Sequence, residues 1–166
     1  ADANETAAAW RYIVGADGPV ALLLTRQDVP VLAGSTDHDA VLRGAYVLAD
    51  PEGDPEVVLI GTGSEVAVAL DAAATLTAAG RSVRVVSMPC TELFSEQADG
   101  YRSSVLPDGI PTVSVEAGVT FGWERWADRC VGIDRFGTSA PGDQAMAGLG
   151  ITPTAVVAAA ESLLGT

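Results

Sequence analysis

Short apolar runs alternate with helix-like segments through most of this chain, and that alternation is its strongest constraint on the fold. The clearest case is Val57 to Leu70, VVLIGTGSEVAVAL, where an apolar run, a glycine turn and the start of a helix follow one another directly. A short, continuous apolar run bounded by turn residues is typical of a strand that is buried on both faces. The alternation therefore predicts a doubly wound, mainly parallel sheet with helices packed against it.

The predicted strands and helices define the fold class. Strands are predicted at 44–50, 57–61, 83–89, 111–117 and 131–137, and helices at 64–79, 90–107, 122–130 and 153–164. Only the turn PEGDP joins the first two strands, so the first strand is expected to pair antiparallel at an edge. The prediction is an α/β fold with three layers around a mixed, mainly parallel five-stranded sheet that has one antiparallel edge strand.

The first part of the chain predicts elements outside this sheet. DANETAAAWRYIV predicts a helix capped by Asp2 or Asn4, and PVALLLT predicts a buried strand. A helix and one strand cannot enclose a core, so we expect residues 1–27 to be the tail of a domain that begins upstream. Residues 28–43 contain Pro, Gly and Asp between short apolar pairs, which predicts a linker with one helical turn.

The composition excludes several kinds of chemistry. Lysine is absent and all nine basic residues are arginine, which rules out a Walker A loop and a Schiff-base enzyme. The formal net charge of −13 opposes nucleic-acid binding, and the apolar runs are too short and too often interrupted to predict a membrane span. Cys90 and Cys130 form no CxxC pattern, so we expect idle thiols in a reducing cytoplasm rather than a disulfide or a zinc site.

The glycine turn, Gly61–Ser64, has two interpretations. A strand, a GxG turn and a helix start belong to the dinucleotide-binding fingerprint, but Val66 replaces its third glycine and no acidic residue for a ribose ends the next strand. Ser64 is placed to cap the helix, and a carboxylate at Glu65 would repel a phosphate. We favour a structural turn, with a Rossmann-like nucleotide-binding regulatory domain as the alternative.

Three carboxylates are predicted near the ends of neighbouring strands, where ligand sites of open α/β sheets lie. They are Glu65, Glu92 and Glu116. A catalytic carboxylate cluster is one interpretation. We favour a local role, in which Glu116 pairs with Arg125 or Arg129, because carboxylates near strand ends are common without catalysis.

Nucleophilic catalysis would depend on the single histidine. His38 lies in the predicted linker between Asp37 and Asp39, and Ser64 lacks the GxSxG frame of a nucleophile elbow. We therefore favour a solvated imidazole over a Ser–His or Cys–His pair. One histidine and two distant cysteines predict no histidine-based metal site.

Arg26 is the sharpest single candidate. It directly follows the apolar run VALLLT and stands between Thr25 and Gln27, at the predicted carboxyl end of a strand. Its planar guanidinium can present a fork of donors to a phosphate or a carboxylate. The local sequence supports a phosphate site and a structural salt bridge equally.

A series of segments carries a family resemblance. In order they are DANETAAAW, LLLTRQDVP, GAYVLAD, VVLIGTGSEVAVALDAA, VRVVSMP, LFSEQ with YRSSVLP, VSVEAG with GWERW, and FGTSAP. Together they resemble the C-terminal third of bacterial transketolases over essentially the whole chain. TRQ and FGTSAP fit that family better than two related thiamine enzymes, deoxyxylulose-phosphate synthase and a ketoacid dehydrogenase subunit.

The resemblance implies domains and an activity. Residues 1–27 would be the last helix and strand of a pyrimidine-binding middle domain, 28–43 a linker, and 44–166 a transketolase C-terminal domain. The family moves a two-carbon ketol unit from a ketose phosphate to an aldose phosphate in the pentose phosphate pathway. It uses thiamine diphosphate with Mg²⁺ or Ca²⁺ in a cytoplasmic homodimer. Arg26 in TRQ matches the arginine of the family's SRQ motif, which binds the substrate's phosphate.

The catalytic motifs of that family have no counterpart in this chain. The metal of the cofactor is held by a GDG motif followed by an asparagine, and the only asparagine here is Asn4. The catalytic glutamate and histidines match no residue, His38 included. The resemblance thus implies part of an enzyme, inactive by itself, that binds neither thiamine diphosphate nor a metal and depends on upstream domains of the same protein.

Overall fold

A five-stranded sheet lies at the centre of the computed structural model, which describes residues 1–35 and 37–165. Its strands are β1 (Tyr46–Ala49), β2 (Val57–Gly61), β3 (Val83–Ser87), β4 (Thr112–Val115) and β5 (Arg129–Val131). They lie in the order β1-β3-β2-β4-β5. β1 runs antiparallel to β3, and the other neighbouring pairs are parallel. The predicted mixed sheet with one antiparallel edge strand is confirmed.

Helices cover both faces of the sheet. They are α1 (Ala3–Gly15), α2 (His38–Val41), α3 (Glu65–Ala78), α4 (Thr91–Ser95), α5 (Asp99–Val105), α6 (Gly142–Leu149) and α7 (Pro153–Leu164), with a 3₁₀ turn at Trp123–Arg125. Alternate residues of β2 face opposite ways, as the period of a strand requires. Val57 and Leu59 pack with α3 and α7, whereas Val58 and Ile60 pack with α4, α5 and the 3₁₀ turn. The predicted three layers are confirmed.

Helix ends follow the predicted signals. Asp2 caps α1 by accepting from backbone N–H groups of its first turn at 3.0 Å. Thr152 accepts from the N–H of Ala155 at 3.2 Å, and Pro153 follows as the first residue of α7. Gly80 follows the C-cap of α3 with φ of +88°, the left-handed conformation that commonly closes a helix.

Two predicted helices and a strand differ from the structure. The helix predicted at 90–107 is split into α4 and α5, because the residue before α5 is extended, with φ −58° and ψ 146°. The helix predicted at 122–130 is a 3₁₀ turn, and its last residues instead form a parallel ladder with β4. Consequently β5 ends at Val131, where the strand predicted at 131–137 was expected to begin.

The strand predicted at residues 19–25 is wrong: no strand forms there. Leu23 is 88% exposed and Leu24 is 60% exposed. A strand requires a neighbour to satisfy its backbone groups, and no strand in the described chain pairs with this segment. Leu22 is half-buried, but most of the apolar side chains of this segment are exposed among the described residues.

A buried carboxylate fixes α1 to the edge of the sheet. Glu5 is 4% exposed and accepts hydrogen bonds from the Tyr46 hydroxyl at 2.8 Å and from the Ser87 hydroxyl. It also contacts the amino group of Ala1. Burial raises the pKa of Tyr46, and the nearby Glu5 raises it further. This contact ties the N-terminal segment to β1 and β3.

One stretch, Gly142–Leu164, has the length and mean hydropathy (1.4) of a membrane span. The structure divides it into α6 and α7, which have 8 and 12 residues. Gly150 between them has φ of +87°, and Thr152 begins the second helix. Each helix is shorter than the ~20 residues that a spanning helix needs.

Candidate functional site

The carboxyl ends of β2, β3 and β4 meet at one edge of the sheet. The chain passes from β2 to β3 on one side and returns to β4 on the other, so the strand order reverses between β2 and β4. Gly61, the last residue of β2, is in register with Ser87 and Val115. Such a reversal is the usual position of ligand sites in open α/β sheets, and the glycine turn lies directly on it.

Backbone geometry accounts for both glycines of the glycine turn. A Cβ on Gly61 would lie 2.7 Å from the Cα of Val66, so α3 passes too close for a side chain. Gly63 has φ of +55°, the left-handed region. Ser64 makes no capping bond, contrary to prediction, because its backbone is already helical, with φ −62° and ψ −24°. Its hydroxyl donates instead to Glu65 Oε1 at 2.6 Å. This geometry supports the structural interpretation of the turn.

The predicted carboxylates have separate partners. Glu65 is 6% exposed, and its Oε2 accepts from the N–H of Ala117 at 3.3 Å. Glu116 Oε2 accepts from the Trp123 indole N–H at 2.6 Å. The ion pair predicted for Glu116 is not formed within the described residues; Arg125 instead lies over the ring of Trp126 at 4.6 Å. Glu116 therefore has a local partner, as proposed, but that partner is the indole of Trp123 and not an arginine.

Glu92 and Glu116 line one cavity of about 300 Å³, with Cys90, Trp123 and Trp126 among its other walls. Glu92 accepts from the hydroxyl of Thr91 at 3.2 Å and from the thiol of Cys90 at 3.5 Å. Burial raises the pKa of the Cys90 thiol, and Glu92 adds to the shift. A raised pKa makes this thiol a poor nucleophile at neutral pH.

The remaining polar candidates are not brought together. His38 begins α2, whose N-cap is Asp37. Cys90 and Cys130 are both free thiols. Across residues 1–35 and 37–165, His38 makes no contact with Ser64 or either cysteine, and no group of three or more His, Cys, Asp and Glu side chains is arranged to hold a metal ion.

Arg26 lies in an exposed segment beside the glycine turn. We call Thr25–Gln27 the arginine segment. Thr25 donates its hydroxyl proton to Gln27 Oε1, and Gln27 Nε2 donates to Ser64 Oγ at 3.2 Å. A cavity of about 280 Å³ is lined by Thr25, Gln27 and Gly63, among others, but not by Arg26. The guanidinium of Arg26 has no hydrogen bond or ion pair with any described residue, so the salt bridge that the sequence left open is not formed there.

Two of these contacts have no signal in the sequence. Gln27 and Ser64 are 37 positions apart, and Glu5 and Ser87 are 82 apart. Neither pair belongs to a spaced motif, because the fold alone brings them together. Long-range polar contacts of this kind can be recognised only in the folded structure.

A model of the transketolase-like TK C-terminal domain matches residues 44–152. The chain belongs to the transketolase family. It is 49% identical over 172 residues to transketolase 7 of Craterostigma plantagineum, covering 98% of this chain and 25% of that protein. The match supports this family over deoxyxylulose-phosphate synthase or a ketoacid dehydrogenase subunit.

Solved structures show the same family. Transketolase from Leishmania mexicana superposes with a TM-score of 0.95 at 43% identity, covering 99% of this chain and 24% of that one. A transketolase from Pichia stipitis, in complex with sedoheptulose-7-phosphate, gives 0.92 at 37% identity with the same coverage. The chain thus spans about a quarter of the length of these relatives. The domain division at 27/28 and 43/44 stays a prediction.

The described residues do not fit the divalent metal of the family's cofactor. A divalent metal requires a cluster of oxygen ligands, and none is arranged for one in residues 1–35 and 37–165. The one asparagine, Asn4, donates its side-chain amide to Ser35 at 3.1 Å and lies near a helix start. No step of thiamine chemistry is assigned to residues of this chain.

Proposed function

We propose that this chain is the C-terminal part of a transketolase that moves a two-carbon ketol unit from a ketose phosphate to an aldose phosphate. Thiamine diphosphate and Mg²⁺ or Ca²⁺ bind to upstream domains of the same protein, which acts as a cytoplasmic homodimer in the pentose phosphate pathway. In this proposal the chain supplies no catalytic residue. Its contribution to the site is the guanidinium of Arg26, which binds the substrate's phosphate.

The observation that carries the proposal is the free guanidinium of Arg26. An exposed arginine with no partner among the described residues keeps its donors available for an anion. The segment that holds it contacts the carboxyl edge of the sheet through the hydrogen bond from Gln27 to Ser64. A relative has been solved with a sugar phosphate, which is the class of ligand that the proposal requires.

The test is the substitution Arg26→Ala in the full-length enzyme. Loss of a charge-assisted contact is expected to raise KM for the ketose phosphate about 10- to 100-fold, with kcat within about threefold. An unphosphorylated ketose should be used about as well as by the wild type. Steady-state rates with both donors measure this difference.

Two further variants control the test. Arg26→Lys keeps the charge but loses the fork and should show an intermediate KM. Arg129→Ala removes an exposed arginine from β5 and should leave KM unchanged for both the ketose phosphate and the unphosphorylated ketose. Equal loss with both donors in Arg26→Ala would contradict a phosphate contact. Transfer by the isolated 166-residue chain, supplied with thiamine diphosphate and Mg²⁺, would contradict its dependence on upstream domains.

A further inference from the structure

A directional series of hydrogen bonds links the arginine segment to the glycine turn. Gln27 Nε2 donates to Ser64 Oγ at 3.2 Å, and Ser64 Oγ donates to Glu65 Oε1 at 2.6 Å. A hydroxyl accepts and donates at the same time, so the two bonds are compatible. Ser64 therefore connects the amide of one segment to the carboxylate of another.

The far end of this series is fixed in the sheet domain. Glu65 is 6% exposed, and its second oxygen accepts from the N–H of Ala117, just beyond β4. A buried carboxylate with both oxygens bonded has a defined position. It gives the Ser64 hydroxyl a fixed acceptor, and Ser64 in turn gives Gln27 a fixed partner.

The bond between Gln27 and Ser64 is the main polar tie of its region. Among the described residues it is the one hydrogen bond that joins residues 17–31 to another part of the chain. Apolar packing contributes little, because Leu23 and Leu24 are largely exposed. The chain is held again at Leu32, whose N–H donates to Asp2 Oδ2 at 2.7 Å, so loss of the Gln27–Ser64 bond would give the segment before it more freedom to move relative to the carboxyl edge of the sheet.

Arg26 lies between two residues that this series holds. Thr25 donates to the Gln27 side chain, and Gln27 donates to Ser64, so the side chains on both sides of Arg26 are linked to the glycine turn through the Gln27 amide. A long side chain that binds a ligand loses conformational freedom, and a fixed backbone lowers that cost. We propose that Ser64 and Glu65 are positioning residues, which hold the arginine segment so that the Arg26 guanidinium meets the substrate's phosphate. The inference rests on the proposed role of Arg26.

The first experiment compares Ser64→Ala and Ser64→Thr in the full-length enzyme. Ser64→Ala is expected to raise KM for the ketose phosphate about threefold to tenfold, which is the effect of one lost hydrogen bond. KM for the unphosphorylated ketose and kcat should stay within about twofold. Ser64→Thr keeps the hydroxyl and should restore the KM of the wild type.

The matched control is Ser162→Ala. Ser162 is an exposed serine of α7 whose hydroxyl donates to the carbonyl of Ala159 at 2.7 Å. Its loss should leave both KM values unchanged. Thermal unfolding of each variant, with a midpoint close to that of the wild type, shows that the substitution has not simply unfolded the domain.

The second experiment is a double-mutant cycle between Gln27→Ala and Ser64→Ala. Two residues that act through one bond should not add: the double variant should raise KM no more than the larger single variant. Inorganic phosphate as a competitive inhibitor is the second probe. Its inhibition constant should rise in Ser64→Ala by the same factor as KM for the ketose phosphate.

The outcomes separate this inference from the function on which it rests. If Arg26→Ala raises KM but Ser64→Ala does not, the positioning role is wrong and the phosphate contact stands. If Arg26→Ala has no effect, the phosphate contact is wrong and the positioning role is overturned with it. If Ser64→Ala impairs both ketoses equally, or if its effect adds to that of Gln27→Ala, the turn supports the site in general and does not position Arg26.

Discussion

Two apolar runs of similar composition have opposite environments in this molecule. VVLIG forms β2, where every residue is buried and both neighbouring strands are paired in register. VALLLT, at residues 20–25, forms no strand and leaves Leu23 88% exposed. An apolar run therefore favours burial between neighbouring strands, but it is buried only where the fold supplies those strands.

The largest expected effect comes from shortening a leucine in the buried run, compared with the same change in the exposed run. Leu59 is fully buried in the centre of β2. Leu59→Ala should lower the free energy of unfolding of the 166-residue chain by about 3 kcal/mol, because it leaves a cavity in a packed core. Leu23→Ala removes the same atoms from an exposed site and should cost less than about 0.5 kcal/mol. Urea denaturation measures both.

The outcome for Leu23 decides whether the environments really differ. A loss of more than about 1.5 kcal/mol in Leu23→Ala would mean that this side chain is covered in solution, against the exposure found here.

The difference between the two runs also marks how far the sequence predicts the structure. Period and turn chemistry placed the first four strands of the sheet and the caps Asp2 and Thr152, because each depends on residues close in the chain. The edge strand is antiparallel as predicted, but its partner is β3, which is distant in the chain, and the fifth strand lies earlier than predicted. The helix predicted at 122–130 was wrong at its end, because pairing of Arg129–Val131 with β4 overrode local helix propensity. The Gln27–Ser64 contact of the candidate site was missed because only the fold brings it together.

The next largest expected effect concerns the hydrogen bond between Tyr46 and Glu5, which joins α1 to the sheet. Tyr46 in β1 donates to Glu5 of α1, and burial, with Glu5 adding to it, raises the pKa of Tyr46 above its usual 10.0. Below pH 10 both folded and unfolded chains keep the phenol protonated. Above pH 10 the unfolded chain ionises first, so stability is lost as pH rises toward the folded pKa.

Tyr46→Phe isolates this effect. The wild-type chain should lose about 1 kcal/mol between pH 10 and 11 from this group, and the variant should lose correspondingly less. Burial also raises the pKa of Tyr101, which remains in both proteins, so the difference between the two curves reports Tyr46. Urea denaturation at pH 8, 10 and 11 measures it; parallel curves would show that this phenol is not protected in the folded chain.

The smallest expected effect tests the hydrogen bonds of Asp2, which join the start of α1 to Leu32 and Ser35. Burial disfavours the charge of Asp2, but hydrogen bonds from the Ser35 hydroxyl and from the N–H groups of Glu5 and Leu32 outweigh it, so its pKa lies below the usual 3.8. Its contribution is therefore present above pH 3.8 and is lost as pH falls through the folded pKa. Asp2→Asn keeps the capping oxygen Oδ1, removes the charge, and replaces Oδ2, which accepts from the Leu32 N–H and the Ser35 hydroxyl, with an amide group that cannot accept. It should cost about 1 kcal/mol at pH 7, and the difference from the wild type should shrink as pH falls through the folded pKa of Asp2. Hydrogen exchange should place that loss in α1, because the sheet keeps its own core; equal acceleration in β2 would show that the two regions unfold as one unit.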